Sequence, residues 1–373
     1  MEAVYIHIPF CKQICSYCDF CKVLHIDSFV TEYLDAIQRE IEDNYDGERI
    51  KTLYIGGGTP SSLTKKERIR LFRILEIFNR TPDCEYTFEC NPSDITEDLL
   101  DDIIAGGVNR LSIGIETFDA DNIKKLGRSI DFKDIENKIE MIKKRGILNY
   151  NLDIMYAIPG EKLSQVKKDI SKILSLEPTH ISTYSLILEP HTVLGSNGTE
   201  YINEELDRKM YDTIVNKLKK AGYIHYEVSN FAKPGMESKH NLTYWNNQEY
   251  YGFGLGASGY KAAFRYSNTR NLHEYCAGNY RIEENLMTYK DQMDNEIMLG
   301  LRKLEGINVS DFFDKYQKNI QDVYPVKELI KNGDLIYSNG QLFIPANKIY
   351  IMNEILLKLI WYWKKSILCY NSY

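Results

Sequence analysis

The sequence lacks any apolar run long enough to span a lipid bilayer. It also lacks a basic leader with a cleavage site, because the strand-like run AVYIHIPF already begins at Ala3. Positive charge is in deficit, since the formal net charge is -7. A nucleic-acid partner is not expected, because phosphate binding needs clustered positive charge. We expect a cytoplasmic protein with at most transient membrane-associated partners.

Cysteine is scarce except at one point in the chain. Four of the eight cysteines lie within residues 11–21, in the stretch CKQICSYCDFC. Because cytosolic thiols stay reduced, this group predicts a metal site rather than a set of disulfides. The other four stand apart and are expected to be small buried hydrophobes: Cys84, Cys90, Cys276 and Cys369.

Short β-rich runs alternate with stretches of helical period through most of the chain. The strand-like runs are AVYIHIP, TLYIGG, YTFEC, RLSIGIE, YNLDIMY, HISTYSL and YIHYEVS. The predicted helices cover about Phe29 to Asp43, Lys65 to Phe78, Glu97 to Ala105, Phe132 to Lys144, Leu163 to Leu176 and Glu204 to Ala221. Six or seven βα units in succession predict an α/β fold with a parallel sheet, open or closed into a barrel, and helices outside it.

The βα alternation stops near Glu283, and a small helical segment follows. DFFDKY and VKELIKNGDLIY lead into a predicted hairpin turn at Asn339-Gly340. A last helix should pack its apolar face onto this segment. That face consists of Met352, Ile355, Leu356, Leu359 and Trp363. The order of elements predicts a winged-helix-like module. We therefore expect a barrel domain over 1–230, an extension over 231–285 and a C-terminal domain over 286–373.

Polar or glycine residues follow nearly every predicted strand, where parallel sheets bind their ligands. They are the cysteine loop, GGGTP at Gly56–Pro60, Glu89, Glu116, Asp153, and Tyr184 with Ser185. A carboxylate inside an apolar strand needs a polar partner, so Glu89 and Asp153 indicate a bound ligand. For each of these two carboxylates taken alone, the alternative to ligand binding is that it caps a neighbouring helix or pairs with a lysine.

The spacing of Cys11, Cys15 and Cys18 differs from that of structural zinc sites, which usually combine two C-x-x-C pairs across a long loop. Three thiolates in one loop can instead hold three irons of a cubane cluster and leave the fourth iron open. C-x-x-x-C-x-x-C after a first strand resembles the radical S-adenosylmethionine superfamily. The resemblance implies a partial (β/α)6-type barrel, a [4Fe-4S] cluster on these three cysteines, and S-adenosylmethionine on the open iron.

The same resemblance implies which residues contact S-adenosylmethionine: Tyr5, Tyr17, Gly57, Gly58, Thr59, Glu89, Glu116, Arg128 and Asp153. GGGTP lacks the lysine and hydroxyl residue of a phosphate loop, and its glycines instead let backbone pass close to a ligand. Glu116 departs from the family, in which glutamine is usual. Coproporphyrinogen oxidases carry an extra cysteine at the position of Phe20, so Cys21 lies one residue away from that position. Cys21 is therefore interpreted either as a metal ligand or as a free thiol.

Further motifs narrow the resemblance within the superfamily, and together they cover most of the chain. They include IGGGTPS, ECNP, GVNRLSIGIETF, NLDIMYAIPG, YEVSNFAKPG and KHNLTYW. These motifs resemble the heme chaperone branch, which is related to the oxygen-independent coproporphyrinogen oxidases. HNLTYW matches the H-N-x-x-Y-W signature of that branch, which implies heme contacts at His240, Asn241, Tyr244 and Trp245.

Imidazole is the commonest axial ligand of heme iron, but other interpretations of these residues stay open. His240 could be a polar loop residue, with the neighbouring aromatic side chains in a core. His7, His180 and His225 are lesser candidates for the heme ligand. Which atom binds the iron is not fixed by the sequence.

The resemblance implies a protein that binds heme and delivers it to apo-hemoproteins such as respiratory enzymes. A homodimer is the assembly considered for it. No residue is assigned to catalysis. The alternative is an oxygen-independent coproporphyrinogen III oxidase, which decarboxylates porphyrinogen propionates after hydrogen abstraction. Two features favour the chaperone: the strand of Tyr5 begins the sequence, and the oxidase cysteine is replaced by Phe20. A third alternative is a radical enzyme that transfers methyl or alkyl groups to another substrate.

Overall fold

The computed structural model describes residues 1–360, and the chain divides into two compact units. Unit 1 comprises residues 1–224, 231–240 and 249–286, and unit 2 comprises residues 225–230, 241–248 and the chain from Met287. None of the described helices is both long and apolar enough to cross a bilayer. The three-part division at residues 230 and 285 stays a prediction.

A nine-stranded sheet forms the centre of the α/β fold, in the order β11-β1-β4-β5-β6-β7-β8-β10-β9. Its strands are β1 (Ala3–Ile8), β4 (Ile50–Gly57), β5 (Arg80–Cys90), β6 (Arg110–Glu116), β7 (Asn149–Tyr156), β8 (His180–Ser185), β9 (Ile224–His225), β10 (Asn230–Ala232) and β11 (Tyr251–Phe253). Each neighbouring pair from β11 to β8 is parallel. The predicted α/β class with successive parallel strands is confirmed.

The shorter strands build small sheets of their own. They are β2 (Phe10–Cys11), β3 (Val23–Leu24), β12 (Ser258–Lys261), β13 (Phe264–Asn268), β14 (Arg281–Leu286), β15 (Ile307–Asn308), β16 (Ile336–Ser338) and β17 (Gln341–Phe343). β2 pairs with β3, β12-β13-β14 form one antiparallel sheet, and β15-β17-β16 form another.

The helices between the strands of the central sheet follow the predicted apolar periods, and further helices lie later in the chain. They are α1 (Asp27–Asn44), α2 (Lys65–Leu75), α3 (Glu97–Ala105), α4 (Ala120–Lys125), α5 (Phe132–Lys144), α6 (Leu163–Ser175), α7 (Val193–Ser196), α8 (Glu204–Lys220), α9 (Lys239–Trp245), α10 (Leu272–Cys276), α11 (Tyr289–Gly300), α12 (Val309–Tyr316), α13 (Ile320–Val323) and α14 (Val326–Lys331). Short 3-10 turns cover Pro60–Ser62, Pro92–Asp94 and Ala346–Ile351. Side-chain caps such as Thr96 on α3 and Asp131 on α5 fix where helices begin.

Within unit 2, α11 to α14 precede the hairpin of β16 and β17, and residues 352–360 are helical. Asn339 and Gly340 both have positive φ, as a two-residue hairpin turn requires, so the predicted turn is confirmed. Four of the predicted core residues of the last helix are buried: Met352, Ile355, Leu356 and Leu359. Trp363 lies outside the described residues.

The predicted strand YIHYEVS is shorter in the structure than in the sequence pattern. Only Ile224–His225 forms a strand, because the chain then turns back through residues 226–230. The amide of Asn230 donates to the carbonyl of Glu227, and the amide of Tyr226 donates to the carbonyl of Asn230. A tight turn of this kind cannot continue an extended ladder.

Candidate functional site

The cysteine loop is closed at its base by the short pair of β2 and β3. Cys11 is the last residue of β2 and lies opposite Leu24, and its carbonyl accepts a hydrogen bond from the amide of His25 at 2.9 Å. Cys11 is buried, whereas Cys15 and Cys18 are half-buried in the loop. The loop therefore presents one buried and two half-buried cysteines near the end of β1.

Two side chains outside the loop donate to these sulfurs. The Thr59 hydroxyl lies 3.3 Å from the sulfur of Cys11, and the guanidinium of Arg128 lies 3.7 Å from that of Cys15. Burial raises the pKa of Cys11 to about 11, so a free thiolate is unfavourable there. A bound metal reverses this preference, because a coordinating thiol is deprotonated.

The spacing of the sulfurs distinguishes between two kinds of metal site. Sulfur ligands of one zinc ion lie about 4 Å apart, since each is about 2.3 Å from the metal. Among the described residues, the set of three ligand atoms that lie within 4.8 Å of one another is His25, Asp27 and Glu67, and the cysteine trio does not form such a set. Three soft, more widely spaced thiol donors in one loop fit an iron–sulfur cluster.

The glycine turn after β4 lies against the start of the cysteine loop. Gly57 has a φ of 117°, which favours glycine strongly, and a Cβ on Gly58 would lie 2.5 Å from the Pro9 carbonyl. The amide of Gly58 donates to Ile8, and the amide of Thr59 donates to Phe10. Only glycine lets these two backbone segments approach so closely, so GGGTP acts as a connection between β1 and β4.

Glu89 lies at the end of β5 and faces this turn. Its two carboxylate oxygens accept hydrogen bonds from the Tyr54 hydroxyl at 2.7 Å and from the Gly57 amide at 3.0 Å. Burial, with a contribution from the charge of Asp153, raises the pKa of Glu89 to about 7. A cationic ligand in this cleft would stabilise the ionised carboxylate.

Glu116 and Arg128 form a second charged group at the end of β6. The guanidinium of Arg128 lies 3.7 Å from the Glu116 carboxylate and donates to the carbonyl of Gly114. Glu116 has a φ of 67°, in the left-handed region, where β6 slips in register against β7. Burial raises the pKa of Glu116 to about 7, and Arg128 opposes that shift. Such backbone strain often accompanies functional sites.

The remaining predicted cofactor contacts surround the same cleft. The Tyr17 hydroxyl lies 3.5 Å from the guanidinium of Arg128, and the Tyr5 hydroxyl bonds to His7 at 3.0 Å. Asp153 accepts a hydrogen bond from Asn151 at 2.7 Å, and burial raises its pKa. The structure thus brings the predicted S-adenosylmethionine contacts of unit 1 around one cleft beside the cysteine loop.

Several polar residues of this cleft were not predicted as S-adenosylmethionine contacts. They occupy alternate positions of the central strands and point inward: Thr52, Tyr54, Thr87, Arg110, Ser112, Asn151, His180 and Ser182. Register pairs such as Glu89 with Ser112 and Asn151 with His180 place them in rows across the sheet. The signal was present as polar residues at every second position, which is unusual for strands covered on both sides.

His240 of the HNLTYW motif lies inside unit 1, near the start of α9. Its imidazole is 1% exposed, stacks on Tyr54 with ring centroids 5.0 Å apart, and bonds to the Thr52 hydroxyl at 2.8 Å. Burial lowers its pKa to about 3, so the ring is neutral. The Glu85 carboxylate accepts hydrogen bonds from the amides of Lys239 and His240. The alternative interpretation of His240 as a loop residue is therefore wrong, because the residue lies in a helix.

The other motif residues, Asn241, Tyr244 and Trp245, belong to unit 2 and are half-buried. Within that unit, the guanidinium of Arg302 lies 5.8 Å from the centre of the Trp245 ring. The lesser candidates for heme ligation are all buried: His7, His180 and His225.

The remaining cysteines divide as follows. Cys21 is half-buried, and its carbonyl bonds to His7 at 2.8 Å. Cys84 and Cys90 are buried as predicted, while Cys276 is only half-buried. Cys369 lies outside the described residues.

Comparisons with known proteins agree with this architecture. A family model of the Radical SAM superfamily matches residues 5–173, and one of the HemN C-terminal domain matches residues 287–347. The heme chaperone HemW of Lactococcus lactis is 40% identical, with 91% of this chain and 92% of that protein covered. The chain belongs to the HemW family. HemW of Bacillus subtilis is 37% identical over 95% of this chain and 98% of that protein. HemW of Escherichia coli is 32% identical over 92% of this chain and 96% of that protein.

A solved structure supports the fold of this HemW family member. Coproporphyrinogen III oxidase (HemN) from Escherichia coli, described as a radical SAM enzyme, superposes with a TM-score of 0.84 and covers 96% of this chain and 89% of its own. Its sequence identity of 21% shows a common fold alone. Membership of the radical SAM superfamily implies a [4Fe-4S] cluster and S-adenosylmethionine.

Proposed function

We propose that this protein is a heme chaperone, which binds heme and delivers it to apo-hemoproteins such as respiratory enzymes. The observation that carries the proposal is identity of 32–40% along more than nine tenths of the chain to three proteins named heme chaperone HemW. Alignments of that length include HNLTYW, and the Radical SAM family model includes the cysteine loop. The proposal therefore applies to the whole chain rather than to one domain.

In this proposal Cys11, Cys15 and Cys18 hold the [4Fe-4S] cluster, with Thr59 and Arg128 as donors to two of the sulfurs. S-adenosylmethionine then occupies the cleft between the glycine turn and the carboxylates. When bound, these two groups supply one-electron chemistry. Hydrogen bonds to the sulfurs and burial of the loop tune that chemistry.

The carboxylates of the cleft provide the charge for a cationic cofactor. Glu89 and Asp153 supply negative charge on the side of β5 and β7, and Glu116 with Arg128 forms a pair that can accommodate a carboxylate as well as an ammonium group. Gly57 and Gly58 pack closely against His7 and Pro9 and so hold the turn beside these carboxylates. These assignments rest on the family resemblance and on the arrangement of the cleft.

The motif residues His240, Asn241, Tyr244 and Trp245 are predicted to contribute to heme binding. His240 is packed against Tyr54 and Thr52, so a direct bond to iron would require its imidazole to leave this packing. Heme binding by the motif stays a prediction. The alternative is that these residues only stabilise the packing of the fold.

Heme titration of the anaerobically reconstituted protein tests the proposed function. A Soret band shifted from that of free heme is expected, followed by loss of the band from this protein when an apo-hemoprotein is added. Unchanged absorbance of heme on titration would contradict the proposal.

An anaerobic assay of the reconstituted protein with coproporphyrinogen III, S-adenosylmethionine, a reductant for the cluster and an electron acceptor for the product radical distinguishes the oxidase alternative from the chaperone. The exposed Phe20 occupies the position of the oxidase cysteine, so no protoporphyrinogen is expected. Formation of protoporphyrinogen without heme transfer would identify the protein as the oxidase. A Phe20→Cys variant is the matched control, because it restores the oxidase spacing without altering the three predicted ligands.

A further inference from the structure

A histidine and two carboxylates meet in unit 1 just beyond the cysteine loop, and the proposed cofactor cleft does not use them. His25 follows β3, Asp27 is the first residue of α1, and Glu67 lies in the first turn of α2. One ligand atom from each residue lies within 4.8 Å of the other two. Three separate segments of the chain therefore bring one nitrogen and two oxygen ligands together.

The imidazole of His25 is buried without the hydrogen bonds that its nitrogens need. The side chain is 10% exposed, and within residues 1–360 neither ring nitrogen has a hydrogen-bond partner. Burial of a polar nitrogen costs free energy unless a partner compensates for the lost water. The residue is nevertheless fixed, because its amide donates to the carbonyl of Cys11 at 2.9 Å and its ring centroid lies 6.1 Å from that of Phe10. A metal ion at Nε2 would offset the cost of burying this nitrogen.

The distances from His25 to the two carboxylates suit a common ion. Its Nε2 lies 3.4 Å from Oε2 of Glu67 and 3.6 Å from Oδ1 of Asp27. Nitrogen and oxygen ligands lie about 2.1 Å from zinc, so two of them in a tetrahedral arrangement are about 3.4 Å apart. Direct hydrogen bonds between such atoms are shorter, at about 2.7–3.2 Å. The observed separations therefore match ligands of one ion better than a hydrogen-bonded group.

Glu67 is held in position independently of the histidine. Its Oε2 accepts a hydrogen bond from the amide of Thr64 at 2.6 Å, as part of the capping box that begins α2. A carboxylate oxygen has room for a second partner, and carboxylates that ligate metals are usually hydrogen-bonded themselves. The capping box explains the position of Glu67, but it does not explain why a buried imidazole approaches the same oxygen.

The charges of these three residues favour a divalent cation. Within the described part of the chain, neither Asp27 nor Glu67 forms an ion pair with a lysine or an arginine. Imidazole binds metals in its neutral form, so the two carboxylates balance the charge of a divalent ion. Asp27 is 89% exposed, which lets water reach the ion from that side. Imidazole nitrogen with carboxylate oxygen is a ligand set for zinc and other first-row divalent ions.

We propose that His25, Asp27 and Glu67 bind a divalent first-row metal ion, for which zinc fits the distances. The proposal goes beyond heme binding and the cofactor cleft, since neither involves these residues. β3, which precedes His25, pairs with β2, the strand that carries Cys11. The ion would therefore hold the returning end of the cysteine loop against the first turns of α1 and α2.

Zinc uptake by the cluster-loaded, full-length protein tests this site, because the cluster occupies the predicted cysteine ligands. In anaerobic equilibrium dialysis, the wild type should bind one zinc ion per chain in addition to its iron. His25→Ala should weaken zinc binding by more than about tenfold, since loss of even an outer partner of a metal ligand costs about that much. Glu67→Gln should weaken it similarly, although glutamine still offers an oxygen to the amide of Thr64 and preserves the capping box.

His191→Ala is the matched control for these variants. The imidazole of His191 is also paired with an aspartate, Asp19, but its side chain is 61% exposed. This variant should bind zinc like the wild type. Saturating zinc should raise the unfolding temperature of the wild type and of His191→Ala, because a ligand of the folded state stabilises it, and should leave that of the two ligand variants unchanged.

The outcomes decide the proposal separately from heme binding. Absence of zinc uptake by the wild type would overturn it, and so would equal zinc affinity in the wild type, His25→Ala and Glu67→Gln. Loss of zinc from His191→Ala would place the ion elsewhere and overturn it as well. If His25→Ala fails to fold or to retain its iron, the comparison of Glu67→Gln with the wild type decides. None of these measurements involves heme, so the proposed function stands or fails on its own titration.

Discussion

Replacing Glu89 by glutamine should remove a pH dependence from S-adenosylmethionine binding. The pKa of this carboxyl is raised from its ordinary value to about 7, chiefly by burial. Its charge is therefore lost as the pH falls through 7. With that pKa, about one tenth of the carboxyl is ionised at pH 6 and about nine tenths at pH 8. If the ionised form is needed for a cationic ligand, its contribution to affinity rises by about tenfold over this range.

The assay is equilibrium binding of S-adenosylmethionine to anaerobically reconstituted protein at pH 6, 7 and 8. The amino group of the ligand titrates in the same range, so the informative quantity is the affinity of the wild type divided by that of Glu89→Gln. This ratio should rise by about tenfold between pH 6 and pH 8. Glu116 and Asp153 also have raised pKa values, but both proteins contain them.

Glu161→Gln provides a control for this measurement. Glu161 is a buried carboxyl whose pKa is raised to about 8, and it bonds to Asn122 and to the amide of Ile158 rather than to the cleft. This variant should follow the wild-type profile. A ratio of wild type to Glu89→Gln that stays constant from pH 6 to 8 would refute either the contact of Glu89 with the cofactor or the raised pKa.

Three further substitutions give distinct expectations. Gly58→Ala should lower the free energy of unfolding more than Gly47→Ala in urea denaturation, because only the first Cβ meets backbone, and equal effects would contradict the close approach. His240→Ala should destabilise the fold by about 2–4 kcal/mol, since it removes a buried ring and leaves a hydroxyl unpaired, whereas His273→Ala should have almost no effect. Cys21→Ser should retain iron at the wild-type level, while serine at any predicted ligand should lose it; loss of iron from the Cys21 variant would make that residue a ligand.

The sequence predicted the central sheet well, because each strand and helix carries its own period. The βα alternation predicted a parallel sheet, which the strands β1, β4, β5, β6, β7 and β8 form, and α5 begins and ends where its apolar spacing indicates. The run YIHYEVS was misleading, since its β-forming residues also suit the turn at 226–230. α9 was missed because seven residues are too few to show a helical period.

The site was predictable where a motif fixes residue types, and less so where the fold brings together distant residues. Cys11, Glu89 and Asp153 could be located from spacing and from their position at strand ends. Tyr54 and Arg110 were missed, because polar residues at every second position of a strand do not by themselves show which side chains of neighbouring strands meet. The burial of His240 depends on contacts with Thr52 and Tyr54, which lie almost 190 residues away along the chain.

The connection between the glycine turn and the cysteine loop has a practical consequence. The amides of Gly58 and Thr59 hold the backbone of residues 8–10, and the Thr59 side chain reaches the sulfur of Cys11. We therefore expect oxidation of that sulfur to disturb the backbone beside the predicted S-adenosylmethionine contacts. Preparations exposed to air should lose the [4Fe-4S] cluster and S-adenosylmethionine together. Protein that holds S-adenosylmethionine without the cluster should be rare.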